Sequence, residues 1–270
     1  MMSERGLQAR ELLSSESSSE PVARRLGCQI VIVDDADELG RTAALIVARL
    51  VNRSPRAVLA LPTGQTPLTM YKWLRDLYRK GAIDFPSVRT FNLDEFCGVS
   101  PENPASFAAY MRRELLEHVN LNRDNVNLLN PLALDPEAEC RDYERRIRQA
   151  GGIDLAILGI GRNGHIAFNE PGSAFDSRTR LVRLAPTTIR DSRVFFADPS
   201  EVPRSALTMG IGTIMEARQL LLLASGRRKA RILARSLLGE VTTTVPASVV
   251  QRHPGLTVVA DKLAATELMG

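Results

Sequence analysis

From Gln29 onward, short apolar runs take turns with longer amphipathic ones, and this alternation constrains the fold more than any other feature of the chain. Ala57–Leu61, Ile153–Leu158 and Gln219–Ala224 are almost continuously apolar. Such runs suit strands buried on both faces. Shorter strand-like runs lie at Gln29–Val33, Val88–Asn92, Val126–Leu129, Thr179–Leu184, Ser205–Met209 and Leu256–Ala260. Between them fall helical patterns. Asp35–Val51 has Asp34 or Asp35 placed to cap it, and Pro67–Lys80 carries proline in its first turn and Gly81 as a stop. Ala105–His118, Pro136–Gln149 and Arg228–Leu238 follow, with a short helix and loop over Pro186–Phe196 and a closing helix over Lys262–Leu268. Strands separated by helices pair in parallel through crossovers. The expected fold is therefore α/β: a single domain with a mostly parallel open sheet and helices on both faces, a modified Rossmann-like arrangement. It spans residues 27–270, with no internal repeat or linker. Residues 1–26 are polar and serine-rich and read as a disordered tail with room for a short helix over 6–13.

Composition narrows the partners. With 44% hydrophobic and 24% charged residues the chain can bury a sizeable core. A net charge of +4 is mildly basic, and the only lysines are Lys72, Lys80, Lys229 and Lys262. No basic block interleaved with aromatics appears, so nucleic acid is not an expected partner, whereas a small anionic substrate suits the charge balance. No apolar run reaches the ~18 residues of a membrane span, and the N-terminus has no apolar leader core. No membrane partner and a cytoplasmic location are expected. Cys28, Cys97 and Cys140 are widely spaced, form no CxxC, and are joined by only three histidines. They read as reduced thiols with no metal site.

Four segments carry chemistry. Residues 159–172 follow an apolar run and hold three early glycines, His165 and Glu170 in one turn-rich loop. Gly159, Gly161 and Gly164 fit G-x-G-x-x-G, but Asn169-Glu170-Pro171-Gly172 forbids the helix that a dinucleotide site requires at the third glycine. Leu61-Pro62-Thr63-Gly64-Gln65-Thr66-Pro67 leads from a strand into a helix. It suits either a phosphate cradle of free N–H groups and hydroxyls or a plain threonine-capped turn. Phe91-Asn92-Leu93-Asp94-Glu95-Phe96 ends a strand; Asp94 is the choice for the pocket, with Glu95 turned to the scaffold. Ser225-Gly226-Arg227-Arg228-Lys229 opens a helix, where a lysine is unfavourable unless an anion is near. His118 and His253 read as structural.

Taken together, LPTGQTPLTMYKWL (61–74), FNLDEFCG (91–98), GHIAFNEPG (164–172), SRTR (177–180) and GRRKA (226–230) resemble the glucosamine-6-phosphate deaminase family in order and spacing across roughly residues 28–262. The related 6-phosphogluconolactonases share the phosphate loop but usually continue differently after the histidine than Phe168-Asn169-Glu170-Pro171. The resemblance implies conversion of glucosamine 6-phosphate to fructose 6-phosphate and ammonia, without metal or organic cofactor. It implies Asp94 as the proton carrier between C2 and C1, His165 and Glu170 as the ring-opening set, and Thr63, Gly64, Gln65, Thr66 and Lys229 as phosphate ligands. Asn163 stands where well-known members have a third acid beside the histidine. Arg193 precedes Val194 rather than directly preceding Phe195-Phe196, so Arg190 is a rival phosphate ligand. Val182 replaces the basic residue that regulated members use, so allosteric activation is not expected. Galactosamine 6-phosphate, a 6-phosphosugar lactone and a non-catalytic sugar-phosphate sensor remain alternatives, and homo-oligomerisation is left open.

Overall fold

The alternation of the sequence becomes one seven-stranded parallel sheet. The computed structural model describes residues 28–196, 198 and 201–268. The sheet holds β1 (Gln29–Val33), β2 (Val58–Leu61), β3 (Arg89–Asn92), β5 (Val126–Asn127), β6 (Leu155–Gly159), β9 (Gln219–Ala224) and β10 (Leu256–Asp261). Their order is β1-β10-β9-β6-β2-β3-β5, with every pairing parallel. Side chains alternate across a strand, and here both faces are covered. Val58 and Ala60 of β2 and Leu220 and Leu222 of β9 enter one core. Leu59, Leu61, Leu221 and Leu223 enter the other. This double burial is why these runs are apolar without alternation.

The helices form where their caps allow. Asp35 ends an extended segment, and its carboxylate accepts the N–H groups of Asp37 and Glu38 at 2.9 Å, starting α1 (Ala36–Arg53). The second helix, α2 (Leu68–Arg79), ends at Lys80, after which Gly81 takes φ +70°. It approaches α1 at Gly40, where a Cβ would stand 2.4 Å from Thr69, so no larger residue fits. Asp135 caps α4 (Pro136–Gln149), and its bounds are those the periodicity predicts.

A second sheet was not legible in the pattern. Three antiparallel strands, in the order β4 (Asp94–Phe96), β8 (Ser205–Thr208) and β7 (Arg180–Arg183), stand apart from the parallel sheet. The strand-like runs at Thr179–Leu184 and Ser205–Met209 are strands, but they pair here. Phe96, Phe107, Phe168 and Phe196 form a separate aromatic core beneath this sheet. The helix expected over Ala105–His118 divides into α3 (Phe107–Met111) and a π-helical turn at Arg112–Leu116. The segment Lys262–Leu268 is a series of turns rather than a helix. The Asp261 carboxylate takes the Ala264 N–H there. Pro186–Phe196 contains α5 (Pro186–Ser192) and a 3-10 turn at Arg193–Phe195. The sequence reading missed α6 (Ile211–Met215) and the 3-10 segment Pro246–Arg252. It also placed the start of the Arg228–Leu238 helix too early, since Arg227–Lys229 is a 3-10 turn before α7 (Ala230–Leu238). The N-terminal tail expected over residues 1–26 lies outside the described residues.

Candidate active site

Strands β3, β2, β6 and β9 are consecutive in the sheet, so the loops that leave their carboxyl ends emerge side by side. Open parallel sheets bind ligands at this edge. All four chemistry-bearing segments of the sequence arrive here.

The loop after β2 is held from below and open above. Tyr71 donates its hydroxyl to the Pro62 carbonyl at 2.5 Å, and Tyr110 donates to the Gly64 carbonyl at 2.7 Å. Their rings meet edge to face at 6.2 Å. Gly64 takes φ +100°, with open space where a Cβ would stand. Among the described residues, the N–H groups of Thr63, Gly64, Gln65 and Thr66 and the hydroxyls of Thr63 and Thr66 have no protein partner. No side chain caps α2, so neither threonine is spent as a cap. That removes the threonine cap and leaves a set of free donors suited to an anion.

Asp94 and Glu95 share a strand and point apart. Glu95 is engaged with the scaffold: its carboxylate accepts the N–H groups of Phe96 and Phe107 at 2.9 Å and of Ala108 at 2.8 Å. Burial nonetheless pushes it up to about 6 against those donors. Asp94 is buried, with no side-chain hydrogen bond among the described residues. Burial, reinforced by the Glu95 charge, pushes its carboxyl up to about 8.

The loop after β6 builds an acid–base cluster. No helix starts at Gly164, so the dinucleotide arrangement is absent. Gly161 allows the loop to fold back: its N–H donates to the His165 carbonyl at 2.8 Å, and a Cβ on it would overlap the His165 ring. His165 Nδ1 lies 3.6 Å from Glu170 Oε2, and it has no hydrogen-bond partner among the described residues. Asn163 bridges the two residues, donating Nδ2–H to Glu170 Oε2 at 2.8 Å and accepting the His165 N–H at 3.2 Å. Thr188 of α5 donates to Glu170 Oε1. Burial opposes ionisation of Glu170, but the contacts with His165, Thr188 and Asn163 together hold its carboxyl down at about 2. Ala167, between them, takes φ +50°, a left-handed conformation that a non-glycine residue holds only when its surroundings enforce it. The far end of the loop is fixed by Asn169, which donates to the Met209 carbonyl at 2.8 Å and accepts from Arg180 of the SRTR segment at 2.8 Å.

After β9, Gly226 turns with φ +86° and its N–H is held by the Asp261 carboxylate at 2.9 Å. This brings Lys229 across to the glycine loop, where its ammonium donates to the Ile160 carbonyl at 2.6 Å. Burial, and then the nearby Arg162 cation, lower its proton affinity. Arg190 and Arg193 are exposed, and neither has an ion-pair partner among the described residues. His118 and His253 are structural: His253 is buried, with Nε2 2.7 Å from the Ala217 carbonyl and Nδ1 accepting the Gly255 N–H at 3.0 Å.

Sequence reasoning missed Thr188, the Arg162–Asp191 ion pair that ties the glycine loop to α5, and the two tyrosines beneath the phosphate loop. Only the tyrosines left a trace, as aromatic residues on helical faces. The other contacts join segments that no spacing rule connects.

Fold and site together define a class: an open parallel α/β protein with a set of free backbone and hydroxyl donors beside a pair of oppositely tuned carboxyls. The chain belongs to the family described as glucosamine-6-phosphate isomerases/6-phosphogluconolactonases, whose model matches residues 34–259. It is 46% identical over 238 residues to a glucosamine-6-phosphate deaminase of Thermoanaerobacter pseudethanolicus, covering 88% of this chain and 94% of the relative. Against a protein of the same name from Halothermothrix orenii it is 47% identical over 240 residues, 89% of this chain and all of the relative. A solved monomeric glucosamine-6-phosphate deaminase superposes with a TM-score of 0.86 at 39% identity, covering 88% of this chain and 99% of that one. The 6-phosphogluconolactonase of Trypanosoma cruzi shares the fold, with a TM-score of 0.72 at 20% identity over 94% of this chain.

Proposed function

We propose that this chain converts glucosamine 6-phosphate and water to fructose 6-phosphate and ammonia, an aldose–ketose isomerisation coupled to cleavage of a C–N bond. The observation that carries the reading is the split between two carboxyls at one sheet edge, Asp94 pushed up to about 8 and Glu170 held down at about 2. Groups driven apart in this way mark separate acid–base duties. The Thermoanaerobacter and Halothermothrix relatives and the solved monomeric enzyme are named deaminases of this substrate.

In this reading each residue of the edge takes a role. The free donors of Thr63, Gly64, Gln65 and Thr66, with the Lys229 ammonium, hold the 6-phosphate, and Arg193 lies on the segment that would complete the shell. Anchoring the remote phosphate orients C1 and C2. His165, oriented by Gly161 behind it and by Glu170 and Asn163, moves the proton from the C1 hydroxyl to the ring oxygen and opens the pyranose. Asp94 then takes the C2 proton and returns it to C1. An amine proton passes to the C1 oxygen as the amine-bearing carbon becomes an imine, and water cleaves its C=N bond to leave the ketose and ammonia. A carboxyl with proton affinity near neutrality can both take and return a proton. Asn163 keeps the hydrogen bond to Glu170 that a third acid could not donate when ionised.

This reading makes the partner a small sugar phosphate, with no nucleic acid or membrane, and places the enzyme in the cytoplasm. No helix among the described residues is long and apolar enough to cross a membrane, and all three cysteines are free thiols. The test is ammonia release from glucosamine 6-phosphate and galactosamine 6-phosphate side by side, with hydrolysis of a 6-phosphosugar lactone as a third arm. Ammonia and fructose 6-phosphate from the first substrate are expected. Lactone hydrolysis without ammonia release would overturn the assignment.

A further inference from the structure

Glu95 is buried beside the reacting edge, yet it faces away from it and the proposed chemistry does not use it. Its three hydrogen bonds all run to backbone N–H groups: one on its own strand β4 and two on the first turn of α3. Ser106 caps the same turn, with its hydroxyl accepting the Ala109 N–H at 3.0 Å. The first turn of a helix leaves N–H groups unpaired, so a carboxylate there fixes the helix in both position and direction. The next turn of α3 carries Tyr110, whose hydroxyl holds the Gly64 carbonyl from below. Since Asp94 precedes Glu95 on β4, a continuous set of bonds runs from the Asp94 strand through Glu95 and α3 to the open donors of the phosphate loop.

We propose that Glu95 is a positioning residue for the isomerisation, its carboxylate locking the Asp94 strand to α3 so that proton carrier and phosphate cradle are held at one fixed separation. The proposal rests on the functional reading above. Proton transfer between C1 and C2 of a sugar anchored at its 6-phosphate demands such a fixed distance, because a misplacement of about 1 Å can cost ~10²-fold in rate. Glu95 acts on Asp94 a second way, since a like charge on the adjacent residue disfavours ionisation. Other groups face the pair. Tyr71 of α2 and Tyr143 of α4 lie within electrostatic reach of Asp94. Arg112 lies within reach of Glu95 and favours its charged form. None of these bridges β4 to α3, and among the described residues only Glu95 does both.

Two readouts separate the two effects. The first is the pH dependence of kcat/KM for ammonia release. The second, which needs no turnover, is the rise in melting temperature produced by inorganic phosphate. In Glu95→Gln the amide cannot accept all three N–H groups and carries no charge. Its kcat should fall by ~10–10²-fold, the acid limb of the profile should move to lower pH by about one unit, and the phosphate-induced shift should shrink. Glu95→Asp keeps the charge but shortens the reach, so the acid limb should stay while the phosphate shift shrinks. Tyr110→Phe keeps Glu95 and breaks only the last link. It should weaken phosphate binding and raise KM with the acid limb unmoved, and it reports even if a Glu95 variant fails to fold. A folded Glu95→Gln with parental kcat, acid limb and phosphate shift would overturn the proposal. So would a Tyr110→Phe protein that binds phosphate as the parent does. Parental enzyme that releases no ammonia, yet is stabilised by phosphate, would instead defeat the functional reading.

Discussion

Asp94 and Glu170 stand at the same edge of the same sheet, one after β3 and the other after β6, with only β2 between those strands. Both are acids in largely water-excluded surroundings, and their proton affinities move in opposite directions. The difference lies in what each carboxylate is given. Glu170 receives Asn163 and Thr188 as donors and His165 as a cation when protonated. Asp94 receives no donor among the described residues, and its neighbour adds a like charge. Burial without donors makes Asp94 a poor acid, whereas the donors and the histidine around Glu170 outweigh its burial and keep it an anion. The first suits a group that must gain and lose a proton in each turnover. The second suits one that must stay charged to steady a histidine.

The contrast breaks most visibly at Asp94. Asp94→Asn should lower kcat by ~10²–10⁴-fold, the range for loss of a general base, while ligand-induced stabilisation persists. The same substitution should help the fold. Below about pH 4 the unfolded and folded chains both hold the Asp94 proton. As pH rises toward about 8 the unfolded chain releases it first, so the parent loses stability over that window and the asparagine variant does not. Melting curves from pH 4 to 9 should show the variant gaining on the parent as pH rises. A gain at acid pH instead would mean that Asp94 is a stabilising anion like Glu170.

On the other side, His165→Gln should slow turnover of the closed-ring substrate by ~10²-fold, the lower end for an acid–base group. Binding of an open-chain 2-amino-polyol phosphate should barely change, because it needs no ring opening. Equal losses in titration and kinetics would make His165 a binding residue. A smaller effect is expected from Thr188→Val, which removes one donor from Glu170 and so raises its proton affinity. Glu170 stabilises the fold above the ordinary carboxyl range, and this contribution fades as pH falls toward about 2. The acid-unfolding midpoint of the variant should therefore move to higher pH. An unmoved midpoint would show that His165 and Asn163 suffice to hold the charge.

The smallest effect on the free protein should come from Lys229→Ala. The substitution removes a desolvated cation that already sits beside Arg162, which offsets the lost bond to the Ile160 carbonyl, so its stability change should be small. The melting shift produced by fructose 6-phosphate should drop clearly. An equal shift in variant and parent would place Lys229 outside the phosphate site and shift attention to Arg162, Arg190 and Arg193.

The parallel sheet, its helices and the edge at which the chemistry gathers were legible in the chain, because they depend on local periods and caps. Apolar runs such as Gln219–Ala224, bounded by turn residues, suit strands buried on both faces, and Asp35, Asp135 and Gly81 mark helix ends through contacts two or three residues away. The four loops could be named for the same reason: each follows a strand of readable pattern. The second sheet could not, since β4 is three residues long and finds its partner β8 more than a hundred residues later. Nor could the opposite tuning of Asp94 and Glu170. A carboxyl's proton affinity is set by which donors and charges surround it, and Thr188 meets Glu170, and Tyr110 meets Gly64, only when distant segments fold onto the same edge. The sequence thus determined which residues reach the site, and the tertiary structure decided what each of them can do there.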